Sequence, residues 1–436
     1  MLPNNQELLD RLKPLFEELY SSDKIFPSSH APIAPLPEMG VSNVKIAALW
    51  SDFLRSSTHL LSPNQFGHMD TFVHPVAALT DALVSALNNN PLWRELSPYA
   101  SSVEEFLIDD FRRRLGLDSN AQGIFCSGGS LANLSCFFAA CGGFEQPIER
   151  ENVWLFSSEG AHASVKKSAA VLGIPKAQQL VVHCDDSGKM DVTHLKLLLQ
   201  QTAKPGAQLI VNAVVGSTFH GAVDPLHEIA ECCQQYGAWL HVDGVYGANL
   251  IFSDRYKHYL SGLEKADSVS FAPQKWMFVA RLCAMAYIKN QDSYNQGLRW
   301  PMAYSASGAH SRGQWGIQGS RRADSVTLYM TLQAIGTQQL SKWIDVSIDH
   351  TQDFHAFLKE SDVFTPAHKP EMNLQIFDLA NAERNREFQA TLAENGGPWV
   401  SLGRWKNQDV LRAVLLHPET SQSQFVELER LAKPFV

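Results

Sequence analysis

Apolar residues recur along the chain with two different periods, and the change from one to the other divides it. Between residues 5 and 21, Leu8, Leu9, Leu12, Leu15, Phe16 and Leu19 fall at the spacing of an amphipathic helix. The stretch from Pro27 to Gly40, with Pro32, Pro35 and Pro37 inside it, predicts an extended arm. Ser42 is placed to cap a helix running through Leu54. Pro75 suits the first turn of a further helix that ends near Asn88-Asn89-Asn90. Ser101 with Glu104, and Ser102 with Glu105, have capping-box spacing and predict a helix start there, with Gly116 as its stop.

From about residue 120 the period shortens. Apolar runs occupy 123–126, 153–156, 178–183, 207–215, 238–242, 267–271 and 282–288. Helical patterns separate the first five, which implies crossover connections and a mostly parallel sheet. Asp224-Pro225 predicts a helix with Asp as N-cap and Pro in its first turn, closed by Gly237. The polar, Gly- and Ser-containing residues 303–320 predict a mobile loop ahead of a helix over 321–335. A long helix over 338–359 then leads to a smaller α+β lobe, with strands near 373–378, 398–402 and 411–416 and a last helix over 421–432. The expected division is an N-terminal helical arm (1–70), a large domain (71–300), and the loop with a small C-terminal domain (301–436).

Hydrophobic content of 45% and charged content of 19% are those of a soluble globular protein. A net charge of −9 argues against nucleic acid or an anionic membrane as a main partner. Seven cysteines without a CxxC pair fit reduced thiols better than a disulfide framework. No apolar run is long enough to span a bilayer, and the polar start does not read as a signal peptide. The expected setting is the cytoplasm.

Candidate chemistry clusters at the ends of the predicted strands, where open α/β sheets bind ligands. Cys126-Ser127-Gly128-Gly129-Ser130 joins a strand to an apolar helix. It reads either as a phosphate cradle on Gly129 and Ser130 or as a tight turn with an N-cap. His162 follows the next strand and is open to two readings, a flat stacker on an aromatic ring or a capping histidine. Thr218 ends the strand at 207–215, where its hydroxyl can bond a ring substituent or merely satisfy a turn. Asp243 closes the apolar strand Ala238–Val242 and needs a partner there, a pyridinium N–H or a structural one. Lys275, between Gln274 and Trp276, is either a Schiff-base amine or an ordinary snorkelling lysine. An acid and an amine delivered by neighbouring strands match the layout of a pyridoxal phosphate site. Phe66-Gly67-His68 is a candidate substrate-facing segment, because glycine permits close backbone approach.

Several stretches together resemble the group II pyridoxal-phosphate-dependent amino acid decarboxylases, of fold type I. They are SPYASSVE at 97–104, GIFCSGGSLANL at 123–134, GAHASVKKSAAVLG at 160–173, WLHVDGVYG at 239–247 and ADSVSFAPQKW at 266–276. GSRRADSVTLYMTLQAIG at 319–336 and LRAVLLHPET at 411–420 also match. The resemblance implies a mostly parallel seven-stranded sheet flanked by helices and a smaller α+β C-terminal domain. It implies pyridoxal 5'-phosphate as cofactor and decarboxylation of an L-amino acid to its amine and carbon dioxide. Lys275 would form the Schiff base and Asp243 would pair with the ring nitrogen. His162 and Val245 would pack on opposite faces of the ring, Thr218 would contact it, and Gly129 and Ser130 would bind phosphate. Arg412 matches an arginine that holds a substrate carboxylate in some members, or is a structural salt-bridge residue. A homodimer with active sites at the subunit interface is implied as well.

Two positions depart from the family pattern. A histidine usually precedes the lysine, and here it is Gln274, which can donate to phosphate but cannot take up a proton near neutrality. The loop tyrosine that delivers a proton in many members falls on Arg312, with Tyr304 and His310 nearby. These departures keep oxidative deamination to an aldehyde, or another lyase reaction, open as an alternative outcome. A non-catalytic protein of the same fold is the remaining alternative.

Overall fold

The computed structural model describes residues 6–21, 25–27, 31–145, 149–301 and 311–436, which form two units. The smaller unit takes Met1–Phe72, Asp353–Ala367 and Ile376–Val436; the larger takes Val73–Gln352 and His368–Gln375. The N-terminal segment therefore belongs with the C-terminal one, and residues 311–352 belong with the larger unit, a different division from the expected one.

In the smaller unit, helices α1 (Gln6–Ser21) and α2 (Asn43–Arg55) open the chain, and Ser42 caps α2 by accepting from the Lys45 N–H. The larger unit begins with α3 (Pro75–Leu87) and α4 (Pro98–Arg114). Helix α4 starts three residues before the predicted capping boxes, because Pro98 takes its first position. Ser101 and Glu104 are then interior and buried.

The central sheet is built from β1 (Gln122–Cys126), β2 (Val153–Ser158), β3 (Gln179–Val182), β4 (Gln208–Val214), β5 (Trp239–Gly244), β6 (Ser268–Phe271) and β7 (Ala284–Ile288). Its order is β1-β7-β6-β5-β4-β2-β3, seven strands as expected. β7 runs antiparallel to both β1 and β6, and the remaining pairs are parallel. β4 and β5 are buried at nearly every position, as a sheet covered on both faces requires. The crossover helices are α5 (Gly129–Ala140), α6 (Ala163–Leu172), α7 (Val192–Thr202) and α8 (Leu226–Tyr236). Gly237 ends α8 in the left-handed conformation, as predicted. Asp224 does not cap that helix. It is buried, and its two oxygens accept from the Met190 and Val214 N–H groups, each at 2.8 Å. Burial pushes its pKa up to about 6.

Helices α9 (Gln291–Leu298), α10 (Asp324–Ile335) and α11 (Thr337–Glu360) follow. Residues 311–320 are tied down rather than loose: Ser311 is buried, and the Gln318 amide bonds the Ser127 hydroxyl and N–H. The rest of the smaller unit contains β8 (Thr365–Pro366), β9 (Leu374–Asp378, in this unit from Ile376 on), α12 (Ala382–Asn395), β10 (Ser401–Trp405), β11 (Gln408–Val414) and α13 (Gln422–Ala432). Its sheet has the order β10-β11-β9-β8, and its core is aromatic, built on Phe66, Phe354, Phe377, Phe388 and Phe425.

Candidate active site

Because β1 and β6 both oppose β7, they run parallel to each other, and β2, β4 and β5 share their direction. Five carboxyl ends therefore open on one edge of the larger unit's sheet. β1 leads into Gly129 and Ser130, β2 into His162, and β4 into Thr218. Asp243 lies at the end of β5, and Gln274 and Lys275 sit in the single turn Pro273–Lys275 after β6. The sheet thus gathers residues that the chain spreads over 147 positions, from 129 to 275.

The start of α5 is built to receive an anion. Gly128 adopts φ 91° ahead of it and has no side chain to cap the first turn, in which the Leu131 N–H reaches back to the Gly128 carbonyl and the Gly129 and Ser130 N–H groups have no intrahelical acceptor. A Cβ on Gly129 would come within 2.7 Å of both Val245 methyl groups, so only glycine lets Val245 pack on this turn. Gln274 accepts the Cys283 N–H through Oε1 at 2.6 Å, which leaves its amide nitrogen as a donor. Uncapped N–H groups, a hydroxyl and an amide suit a phosphate monoester, and the donor set fits pyridoxal 5'-phosphate.

Asp243 is 5% exposed, and each of its oxygens is held. Oδ1 accepts from the Val245 N–H at 3.2 Å and the Ser270 hydroxyl at 3.3 Å, and Oδ2 from Asn133 Nδ2 at 2.9 Å. Asn133 stands one turn along α5 from the cradle, so one helix serves both ends of the site. Its amide also donates to Ser164 Oγ at 3.0 Å and accepts from His241 Nε2 at 3.1 Å. Ser164 in turn faces His162 Nδ1, through its hydroxyl at 2.8 Å and its N–H at 3.1 Å. His162 is thus both the N-cap of α6 and a ring fixed in orientation.

Lys275 is half-buried. The turn that carries it is pinned by Trp276, 2% exposed, whose ring centroid lies 5.2 Å from that of Tyr246. Tyr246 is itself held through its hydroxyl by Asn373 at 2.8 Å. Thr218 is exposed at its strand end, beside Ser217, whose buried hydroxyl bonds His220.

Phe66, His68 and Arg412 belong to the smaller unit, where Phe66 is fully buried in the aromatic core. The group that Gly67 lets in close is the Trp399 indole, which occupies the place of a Cβ. Arg412 donates to the Gly67 carbonyl at 3.1 Å. Arg312 lines a cleft of the larger unit together with Tyr294 and Trp315. Tyr304 and His310 lie outside the described residues. Asn133, His241 and Ser270 went unassigned in the sequence, although polar residues inside apolar runs were the available signal.

The pyridoxal-dependent decarboxylase conserved domain matches residues 50–380. The chain belongs to this family. It is 27% identical over 398 residues to the aromatic-L-amino-acid decarboxylase of Bacillus atrophaeus, covering 85% of this chain and 83% of that protein. It is 29% identical over 363 residues to the L-2,4-diaminobutyrate decarboxylase of Rhizobium meliloti, covering 80% and 71%. An acidic amino acid decarboxylase of Xenopus tropicalis is 28% identical over 439 residues, covering 91% and 84%. Among solved structures, mouse CSAD superposes with a TM-score of 0.90 at 23% identity, over 98% of each chain. Oryza sativa TDC, crystallised with PLP and tryptamine, also gives 0.90, at 21% identity and over 99% of each chain. The protein is a carboxy-lyase of the amino acid decarboxylase family, and its cofactor is pyridoxal 5'-phosphate. Among the described residues, no helix is long and apolar enough to cross a membrane.

Proposed function

We propose that this decarboxylase converts a small L-amino acid to its amine and carbon dioxide through a Schiff base on Lys275. The observation that carries the reading is the delivery of Gly129 and Ser130, His162, Thr218, Asp243 and Lys275 to one sheet edge by five strands of common direction. When bound, pyridoxal phosphate supplies an electron sink for the pair released as the carbon–carboxylate bond breaks. Gly129, Ser130 and Gln274 hold the phosphate by neutral donors. Asp243 accepts the ring N–H and favours the protonated nitrogen, which is what makes the ring a sink. His162 and Val245 take the two ring faces, and Thr218 contacts its edge. Trp276 and Tyr246 keep the Lys275 turn fixed, so the amine is presented with little loss of freedom.

All seven cysteines are free thiols, which supports a reducing, cytoplasmic setting. Helix α3 exposes Leu79, Leu83 and Leu87 in one row at i, i+4 and i+8, which supports a homodimer; active sites at its interface are part of the same reading.

Lys275→Ala tests the assignment. Purified wild-type protein is expected to show the visible absorbance of a lysine-bound pyridoxal and to release carbon dioxide from one or more members of an amino acid panel. The variant is expected to lose both, with turnover falling at least a thousandfold, on the order expected for removing a covalent nucleophile. A variant that kept turnover would sink the assignment. Measuring oxygen uptake and peroxide alongside carbon dioxide separates decarboxylation from oxidative deamination, the outcome that Gln274 and Arg312 leave open.

A further inference from the structure

The hydrogen bonds behind Asp243 form a chain whose direction is set from its carboxylate end. Trp239 Nε1 can only donate, and it does so to Ser268 Oγ at 2.8 Å. The Ser268 hydroxyl meets His241 Nδ1 at 2.9 Å. The Asn133 oxygen at the other ring nitrogen can only accept, so Nδ1 of the neutral ring is the acceptor and Ser268 donates its own hydrogen to it. His241 is fully buried and packs edge-on against Phe137, with ring centroids 4.8 Å apart. Its other nitrogen, Nε2, then carries the ring hydrogen and donates to Asn133 Oδ1 at 3.1 Å.

At the far end the Asp243 carboxylate can only accept, which requires the Asn133 nitrogen, not its oxygen, to face it. The second hydrogen of that nitrogen goes to Ser164. Every polar atom of the Asn133 side chain is therefore used, and a flip of the amide would set oxygen against carboxylate and nitrogen against N–H. An ionised carboxylate offers about four lone-pair sites. Three are taken by Asn133, Ser270 and Val245. One remains.

We propose that Asn133, locked by His241, is the positioning residue that holds Asp243 so that its one remaining acceptor site is kept for the cofactor's ring nitrogen. The proposal rests on the assignment of Asp243 to that nitrogen. Asn133 touches no reacting atom in this reading and acts only through Asp243.

A pair of cofactors tests it on the full-length, cofactor-stripped chain: pyridoxal 5'-phosphate itself, and its deaza analogue, in which carbon replaces the ring nitrogen. Affinities for both are measured by absorbance and fluorescence titration, with no turnover involved. Asn133→Leu is expected to weaken pyridoxal phosphate about tenfold, the scale of losing one hydrogen bond to a charged group, and to change affinity for the analogue less than twofold. His241→Leu is expected to show the same selectivity. His241→Gln is expected to restore wild-type affinity, because a Gln amide can present N–H to Asn133 and oxygen to Ser268. If Asn133→Leu does not fold, the two His241 variants carry the test alone. Equal weakening of both ligands, or failure of Gln to rescue, overturns the proposal. Asp243→Asn is run beside them. If it fails to discriminate between the two ligands, the assignment of Asp243 itself falls, whatever the Asn133 variants show.

Discussion

His241 puts a titratable group at the centre of the polar network, and burial lowers its pKa to about 4. In an unfolded chain the ring would titrate near about 6.5. Between those values the unfolded chain binds a proton that the folded one refuses, so this residue's contribution to stability is intact above pH ~6.5 and is lost as pH falls toward about 4. The size of the loss is on the order of 3 kcal/mol. His220, also lowered to about 4 by burial, acts with the same sign. Asp224 and Asp324, both raised to about 6 chiefly by burial, act against it, since their protonated folded forms favour stability at the acid end. The wild-type profile alone therefore blends opposing terms. Comparing it with His241→Gln isolates one of them: urea midpoints from pH 7.5 down to 4.5 should separate progressively below pH ~6.5, the wild type losing more. Parallel curves would show that His241 does not titrate with folding.

At the level of elements, helix α4 is fastened to the stretch before α10 by a largely buried ion pair. Arg321 donates to both oxygens of Glu104, with Nη2–Oε2 at 2.7 Å, and the two side chains are 9% and 1% exposed. Removing one partner strands the other in the interior, so Arg321→Met alone should cost about 3–5 kcal/mol of unfolding free energy. Glu104→Leu combined with Arg321→Met should recover most of that loss. Both follow from guanidinium denaturation, and an Arg321→Met protein as stable as wild type would remove the pair from the account. The same glutamate shows how far local reading reaches. Its spacing from Ser101 looks like a capping box, but its partner lies 217 residues away, beyond any window of periodicity. Asp224 misleads in the same way, sitting before a proline like a cap while bonding two backbone groups of other segments. The seven strands of the large sheet were legible because burial on both faces writes them as continuous apolar runs. Helix α12 was not, since its sequence is mostly polar and Phe388 and Leu392 alone carry its fully buried apolar contact. Of the site, the chemistry-bearing residues at strand ends could be read in advance, and the network behind them could not. Asn133, His241 and Ser268 acquire their roles only when two strands and a helix are brought together.

For the whole molecule, the question is what covers α3. That helix is apolar nearly all round, and a helix of that kind is ordinarily buried on every side. Ala77 and Val84 do face the interior, yet Leu79, Leu83 and Leu87 are 61%, 65% and 70% exposed. Three leucines in one row at helical spacing form a surface that a second copy of the same helix would match, as a two-fold interface requires. Covering a leucine fully is worth about 1.5–3 kcal/mol, so the row is a substantial part of what a stable dimer needs. The wild type should therefore sediment at twice the chain mass at micromolar concentration. Leu79→Glu with Leu83→Glu should sediment as the monomer, because four carboxylates would meet where four leucines did. If the active site is completed across that interface, the monomeric variant should retain its fold and its cofactor cradle but lose turnover. Mixing it with a Lys275→Ala chain should then restore none. A double variant that stays dimeric would move the interface away from α3, and a fully active monomer would confine the active site to one chain.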